Sequence, residues 1–454
     1  MITSINPATG KILENYEKTS PDEAMQRLEK AHQAFCTWNQ TSFSERAALM
    51  KKVSFILTEN KTEYARIMAL EMGKPITAGW AEIEKCAWLC EYYAEHSEKM
   101  LQPETIKTDA QKSYVAFNPL GVILAVMPWN YPFWQVFRHA APGLMAGNGV
   151  ILKHASNVPG CSTAIEDIFR EAGFPKDLFQ NFLISSQQVA DLIEHTTITA
   201  VTLTGSKSAG RSVAEKAGKM LKKSLLELGG SDPYIILEDA DLDRTVETCV
   251  TSRLLNSGQS CIAAKRFVVV EPVRRQFEQM LVEQMKAKPM GDPFDETVEI
   301  GPQARFDLRD DLHRQVAQSI AEGAVCLLGG DIPEGPGAFY PATVLGAVAK
   351  GMPAYEEEIF GPVAAVIPVK NENEAIRVAN DSSFGLGAAV FTRNTERGEH
   401  IASNYLEAGN CFVNAFVKSD PRLPFGGIKE SGYGRELSHY GLKEFVNIKT
   451  VYIQ

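Results

Sequence analysis

From about residue 113 onward, short β-branched runs alternate with amphipathic segments, and this alternation constrains the fold more than any other feature. Apolar runs at 121–128, 149–153, 179–184, 198–204, 234–237 and 266–270 are separated by helix-period segments such as 162–172, 187–195, 208–220 and 240–255. Strands that alternate with helices predict a mainly parallel sheet covered on both faces, so the expected class is α/β. The pattern resumes after residue 300 with a helix over 307–322. The first hundred residues read as helices instead. Ser20-Pro21-Asp22-Glu23 and Ser42 to Glu45 carry the capping-box signature, and the second of these helices is expected to stop at Gly73-Lys74-Pro75. The turn cluster 229–233 is a natural cut between two α/β blocks, and 446–453 reads as an extended strand leaving its domain.

At 454 residues the chain predicts about two or three domains. With 46 Lys and Arg against 56 Asp and Glu, the net charge is −10, and no basic block stands out. Such a chain is poorly suited to gripping phosphate backbones, so no nucleic-acid partner is expected. No apolar run reaches the roughly 18 residues of a membrane span, and the N-terminus lacks the basic and apolar regions of a signal peptide. Eight cysteines without a Cys-x-x-Cys pair suit a reducing compartment, so the expected location is cytoplasmic. The histidines are scattered, and no metal site is predicted.

The glycine fingerprint of dinucleotide-binding folds is absent. What exists is the run 198–204 leading into Gly205-Ser206-Lys207-Ser208-Ala209-Gly210 and a helix. Such a turn gathers free N–H groups and the positive end of a helix dipole, a natural seat for a pyrophosphate; the alternative is a tight turn with nothing bound. Gly205 to Ser212 also misses a phosphate-binding P-loop by one residue, Arg211 standing where the lysine belongs, and Tyr234 to Asp239 could serve as its acidic strand. A P-loop ATPase is therefore the second reading. Among the cysteines, Cys86 and Cys90 share a helix face and read as core. Cys261 instead lies in the polar turn Asn256-Ser-Gly-Gln-Ser-Cys261, with Lys265 and Arg266 close behind to favour its thiolate. Glu227, flanked by leucines, would gain basicity from desolvation, or simply turn to solvent. Asn130, at the end of an apolar strand, could present its amide to a developing oxyanion, or make a turn hydrogen bond.

Together these segments resemble the NAD(P)-dependent aldehyde dehydrogenase superfamily over nearly the whole chain. Asn6-Pro7-Ala8-Thr9-Gly10, Pro128-Trp129-Asn130, Lys153, Thr204-Gly205-Ser206 with Gly210, Glu227-Leu-Gly-Gly230, Gly258-Gln-Ser-Cys261, the 357–362 segment Glu-Glu-Ile-Phe-Gly-Pro and the glycine-rich stretch 424–436 appear in the family's order. The resemblance implies an aldehyde dehydrogenase-like fold. Its Rossmann-like cofactor domain would take 1–103 and 121–229, its catalytic domain 230–420, and a β bridging element for oligomerisation 104–120 and 437–454. Residues 421–436 would return to the cofactor domain. It further implies Cys261 as nucleophile, Asn130 with the Cys261 N–H as oxyanion donors, and Glu227 as the base that activates water. Lys153 and Glu358 would hold ribose hydroxyls and Trp129 would line the cofactor groove. Gly205 and Ser206 would face the pyrophosphate, with Gly210, Leu228 and Phe360 completing the cofactor set. A homodimer or homotetramer is implied.

Two departures from the family pattern bear on function. Its common Lys-Pro-x-Glu is here Lys153-His154-Ala155-Ser156. The missing glutamate would repel a 2′-phosphate, so NADP is expected to be tolerated as well as NAD, without a readable preference. Ala263 stands where some succinate-semialdehyde dehydrogenases have a second cysteine, which argues against a vicinal disulfide. Asn130, Trp134 and Arg138 follow helical spacing and predict one stripe, with Arg138 about two turns up a substrate channel. An arginine there predicts an aldehyde bearing a carboxylate, of succinate-semialdehyde length, with Ser419 as a further donor. The alternatives are that Arg138 pairs with a structural carboxylate, and that the enzyme is a broad aliphatic or aromatic aldehyde dehydrogenase. The Lys-His-Ala-Ser and 258–266 segments also look like the short bacterial and cyanobacterial succinate-semialdehyde dehydrogenases.

Overall fold

The computed structural model describes residues 1–454 and gathers the strands into six-, seven-, three- and two-stranded sheets. In the six-stranded sheet, Lys223–Glu227, Ile198–Thr204, Val122–Met127, Gly149–His154 and Phe179–Asn181 run parallel, with Gly432–Tyr433 antiparallel at one edge. Val122–Met127 lies inside this sheet under helices, which explains why its sequence shows no apolar–polar alternation. The seven-stranded sheet is built around Arg266–Val270, with Pro233–Ile236 and Val363–Val369 as its parallel neighbours. Most expected strands lie within one or two residues of the observed ones. The run 179–184 ends its strand at Asn181, because Leu183 exchanges hydrogen bonds with Thr19 instead.

Two expectations for the first hundred residues need correction. Ile2–Ile5 and Ile12–Tyr16 form an antiparallel hairpin rather than helix. The helix expected to run to Gly73 is divided at Asn60 into Phe43–Glu59 and Lys61–Met72, and Asn60 Nδ2 donates back to the Ile56 carbonyl. Gly73 then ends the second piece in the left-handed region, at φ 72°. Ser42 and Glu45 make the full reciprocal capping box, whereas Ser20 makes only its own half.

The long helix Ile76–Met100 packs against both pieces and against Trp134–Met145. One oxygen of its buried Glu82 pairs with buried Lys74, and the other accepts the N–H groups of Phe133 and Trp134 at 2.9 Å each. Glu82 therefore fixes the start of the Trp134–Met145 helix, whose first turn has no side-chain cap of its own. Glu82→Ala leaves Lys74 as an unpaired buried cation, and the expected loss is about 3–5 kcal/mol of stability. A lower urea midpoint with an unchanged slope would register it; an unchanged midpoint would show that the pair carries no net stability.

Val446–Ile453 pairs antiparallel with Lys112–Pro119, which in turn pairs with Glu104–Thr105. The last strand lies at the edge of this sheet and exposes Ile448, Tyr452 and Ile453. No helix is long and apolar enough to cross a membrane.

Candidate active site

Four adjacent parallel strands end at Met127, His154, Thr204 and Glu227, and the segments just beyond three of them, 128–130, 205–206 and 228–229, enter one cavity. Its opposite wall comes from the amino ends of the other sheet, where Cys261 precedes Arg266–Val270 and Glu358 and Phe360 precede Val363–Val369. This cavity of about 250 Å³ brings together Trp129, Asn130, Gly205, Ser206, Leu228, Cys261, Glu358 and Phe360 from the sequence-derived set. The carboxyl edge of a parallel sheet is where such folds seat ligands. Several features fit a dinucleotide. Ser206 caps the Lys207–Lys219 helix, whose N-terminus points at the cavity wall, and Thr204 Oγ1 is a buried atom with no partner. A Cβ on Gly229 would lie 2.3 Å from Glu358 Oε2, so only glycine leaves room for that carboxylate.

Cys261 also borders a second cavity, of about 160 Å³, lined by Glu82, Lys85, Trp134, Arg138, Ser419 and Phe425 among others. Cys261 thus stands in a wall shared by two cavities. Its loop is unusual: Asn256, Ser257 and Gly258 are all left-handed, with φ of 56°, 56° and 74°. Non-glycine residues hold that conformation only when surroundings over-determine it. Here Arg253 Nη2 donates to the Gly258 carbonyl at 2.6 Å, and Ser257 Oγ accepts from the Gly301 N–H at 2.9 Å. Asn256 Nδ2 donates to the carbonyls of Asn130 and Gln259, at 2.7 and 3.0 Å. Asn130 Nδ2 itself donates to the Gln259 carbonyl at 3.1 Å, using one of its two amide hydrogens. Asn256 therefore locks the Asn130 turn to the nucleophile loop. The Cys261 N–H has no acceptor within the chain, leaving it free for an oxyanion.

The cations near Cys261 correct one expectation and sharpen another. Arg266 does not serve the thiol; it donates to the carbonyls of Ser231, Val378 and Ala379. Lys265 curls back instead, donating to the carbonyls of Ser260 and Cys261 at 2.9 and 2.7 Å, with Glu358 Oε1 3.7 Å away. The thiol is nonetheless not depressed. Burial pushes Cys261 up to about 12, and Glu227 and Glu358 raise it further against Arg138 and Lys265. Cys261 therefore rests as a thiol.

Glu227 ends its strand 1% exposed, and neither carboxylate oxygen has a hydrogen-bond partner in the chain's side-chain network. Burial and the nearby Glu436 raise its pKa, while Arg138 and Arg435 oppose the rise. Arg138 pairs through Nε with buried Glu436, and its guanidinium lies 4.7 Å from the Phe425 ring centre. The arginine expected as a free channel-wall cation thus reaches the cavity with its charge already countered, though Nη2 remains unpartnered. The predicted stripe is shorter than expected. The helix starts at Trp134, so Trp134 and Arg138 share the second cavity while Asn130 faces the first.

Other expected residues stand apart. Lys153, near the end of its strand, lies outside the cavity of Glu358, and burial lowers its pKa. Ser156 borders a separate cavity with Asn157, Arg305 and Phe306. Gly210 is buried, and a Cβ there would meet Leu228 Cδ2 at 2.6 Å, so its glycine permits helix-to-strand packing rather than ligand contact. The P-loop alternative fails on geometry. Only Gly205 and Ser206 separate the strand from its helix, Arg211 is a surface partner of Glu430, and Asp239 belongs to the other sheet's segment, bonded to Thr392.

The sequence places Asn256, Gln259 and Glu436 inside noted segments without marking a role for them, and it does not single out Lys85 or Arg253. Their polar roles depend on partners distant in the chain or on loop geometry, so no local pattern marks them. The profile of the aldehyde dehydrogenase family matches residues 1–451. A Synechocystis protein named a probable NADP⁺ succinate-semialdehyde dehydrogenase is 49% identical, covering 100% of this chain and 99% of that protein. An Escherichia coli NAD(P)⁺ succinate semialdehyde dehydrogenase is 45% identical over 99% of this chain and 97% of its own. The structure of a Streptococcus pyogenes succinic semialdehyde dehydrogenase with NADP⁺ superposes at a TM-score of 0.98, with 38% identity and complete coverage of both chains. The full-length family match and these relatives, identical at 38–49% over nearly the whole of each chain, lead to one conclusion: the chain belongs to the aldehyde dehydrogenase family.

Proposed function

We propose that the chain oxidises succinate semialdehyde to succinate with NADP⁺ or NAD⁺ as hydride acceptor. The observation that carries this is the position of Cys261 in the wall shared by a glycine-lined cofactor cavity and a cavity containing Trp134, Arg138 and Ser419. The relatives' names support the choice of substrate. When bound, the nicotinamide ring supplies the carbon that accepts the hydride. The Cys261 thiol gives its proton to solvent water and its sulfur bonds to the aldehyde carbon as the carbonyl π bond opens onto oxygen, where the Asn130 amide and the Cys261 N–H would hold the developing charge. Loss of hydride leaves a thioester on Cys261. Glu227, once ionised, takes a proton from water, which attacks the thioester and frees the acid and the thiol. Glu358 would hold the nicotinamide ribose, with Trp129 and Phe360 lining the groove, and Lys153 and Ser156 would serve the adenosine side. The six-stranded unit is assigned to the cofactor. The apolar edge strand Val446–Ile453 supports pairing with a second subunit, because exposed sheet edges otherwise invite indiscriminate association.

Formation of reduced nicotinamide with succinic semialdehyde and with butanal, matched in carbon count, tests the substrate. A preference for the acid of about tenfold or more in kcat/KM is expected, and equal turnover would favour the broad-specificity reading. Ser156→Glu restores an anion beside the adenosine ribose. It should lower kcat/KM for NADP⁺ by about ten- to a hundredfold and leave NAD⁺ much less affected. Equal loss for both cofactors would remove Ser156 from the choice.

A further inference from the structure

Three cationic side chains line the second cavity: Lys85, Arg138 and Lys418. Lys418 is exposed at the rim, and the charge of Arg138 is countered by Glu436 within a buried pair. Lys85 is different. No carboxylate lies within ion-pair distance of its ammonium, which donates to Ser419 Oγ at 2.8 Å and sits 4.2 Å over the Trp134 ring. We infer that Lys85, with Ser419 beside it, is the residue that recognises the terminal carboxylate of the substrate. This specificity role rests on the substrate reading above.

The charge balance favours Lys85 over Arg138. An anion entering the cavity meets Arg138 and Glu436 as a nearly neutral pair with one unpartnered donor, Nη2, whereas Lys85 adds a net charge to its spare donors. The groups whose charges bear on its ammonium are Glu82 and Cys86 on its own helix, Arg138 on the Trp134–Met145 helix, and Asp420 beyond Ser419. Asp420 itself is held by Arg422. Burial, aided by Arg138, brings Lys85 down to about 8. A bound carboxylate favours the ammonium form, so affinity for an acid aldehyde should fall as pH rises past that value. Butanal has no carboxylate to lose contact with.

The test compares kcat/KM for succinic semialdehyde and butanal in wild type, Lys85→Met and Lys85→Arg. In Lys85→Met the acid-to-butanal ratio should fall about thirtyfold or more, chiefly through KM for the acid, and Lys85→Arg should recover much of it. A wild type that prefers the acid and a Lys85→Met enzyme that keeps the same ratio would overturn the role of Lys85 while leaving the substrate standing. A wild type without preference would overturn both. If Lys85→Met does not fold, the wild-type pH profile decides. KM for the acid should climb between about pH 7 and 9 with KM for butanal flat, and a flat acid profile sinks the inference.

Discussion

Replacing Cys261 by serine is expected to lower kcat/KM for every aldehyde by at least about 10³-fold, with either cofactor. The substitution changes one atom, so the loop and both cavities should persist. What changes is the nucleophile. The thiol is already pushed up to about 12 by its surroundings, and it reacts because sulfur is intrinsically nucleophilic once its proton leaves. A serine hydroxyl is far less acidic, and no histidine borders either cavity to take its proton. Initial rates of reduced-nicotinamide formation over a range of aldehydes check this. Turnover within about tenfold of wild type would remove Cys261 from the chemistry.

Glu227→Gln should separate the two halves of the reaction. Hydride transfer needs no base at this position, so one equivalent of reduced nicotinamide should still form in a burst. Steady turnover should then fall by about 10²-fold or more, because water reaches the thioester without a base. The buried setting of Glu227 raises its pKa above the ordinary carboxylate value. Its basic form therefore grows as pH rises, and wild-type hydrolysis of the thioester should quicken in step. Glutamine has no such ionisation, so the variant's slow phase should lose that pH dependence. A variant without a burst, or one with undiminished turnover, would place Glu227 elsewhere in the mechanism.

The alternation of runs made the two parallel sheets legible, and with them the strand ends that carry Asn130, Gly205 and Glu227. The N-terminal hairpin was not, because Ile2–Ile5 and Ile12–Tyr16 are short and the second is largely exposed, leaving little apolar pattern. Nor was the break at Asn60, which interrupts an otherwise continuous helical periodicity. The site shows the same divide. The polar turn singles out Cys261, but the raised pKa of its thiol and the neutralisation of Arg138 by Glu436 depend on neighbours that only the tertiary fold brings alongside. Lys85 looks like an ordinary charged face of a long helix until Ser419 and Trp134 are placed against it.

The packing of Gly258 has a consequence for how such an enzyme can diversify. A Cβ at Gly258 would lie 2.2 Å from the carbonyl oxygen of Gly361, so the nucleophile's loop and the segment bearing Glu358 and Phe360 touch backbone to backbone. Ser156 borders a different cavity and shares no wall with Cys261. With Ser156 at the adenosine end, as proposed, that end of the cofactor site would be a replaceable module, open to retuning by single substitutions. The proposed nicotinamide end would instead be joined to the Cys261 loop through Gly258, so that variation there would be felt at the sulfur.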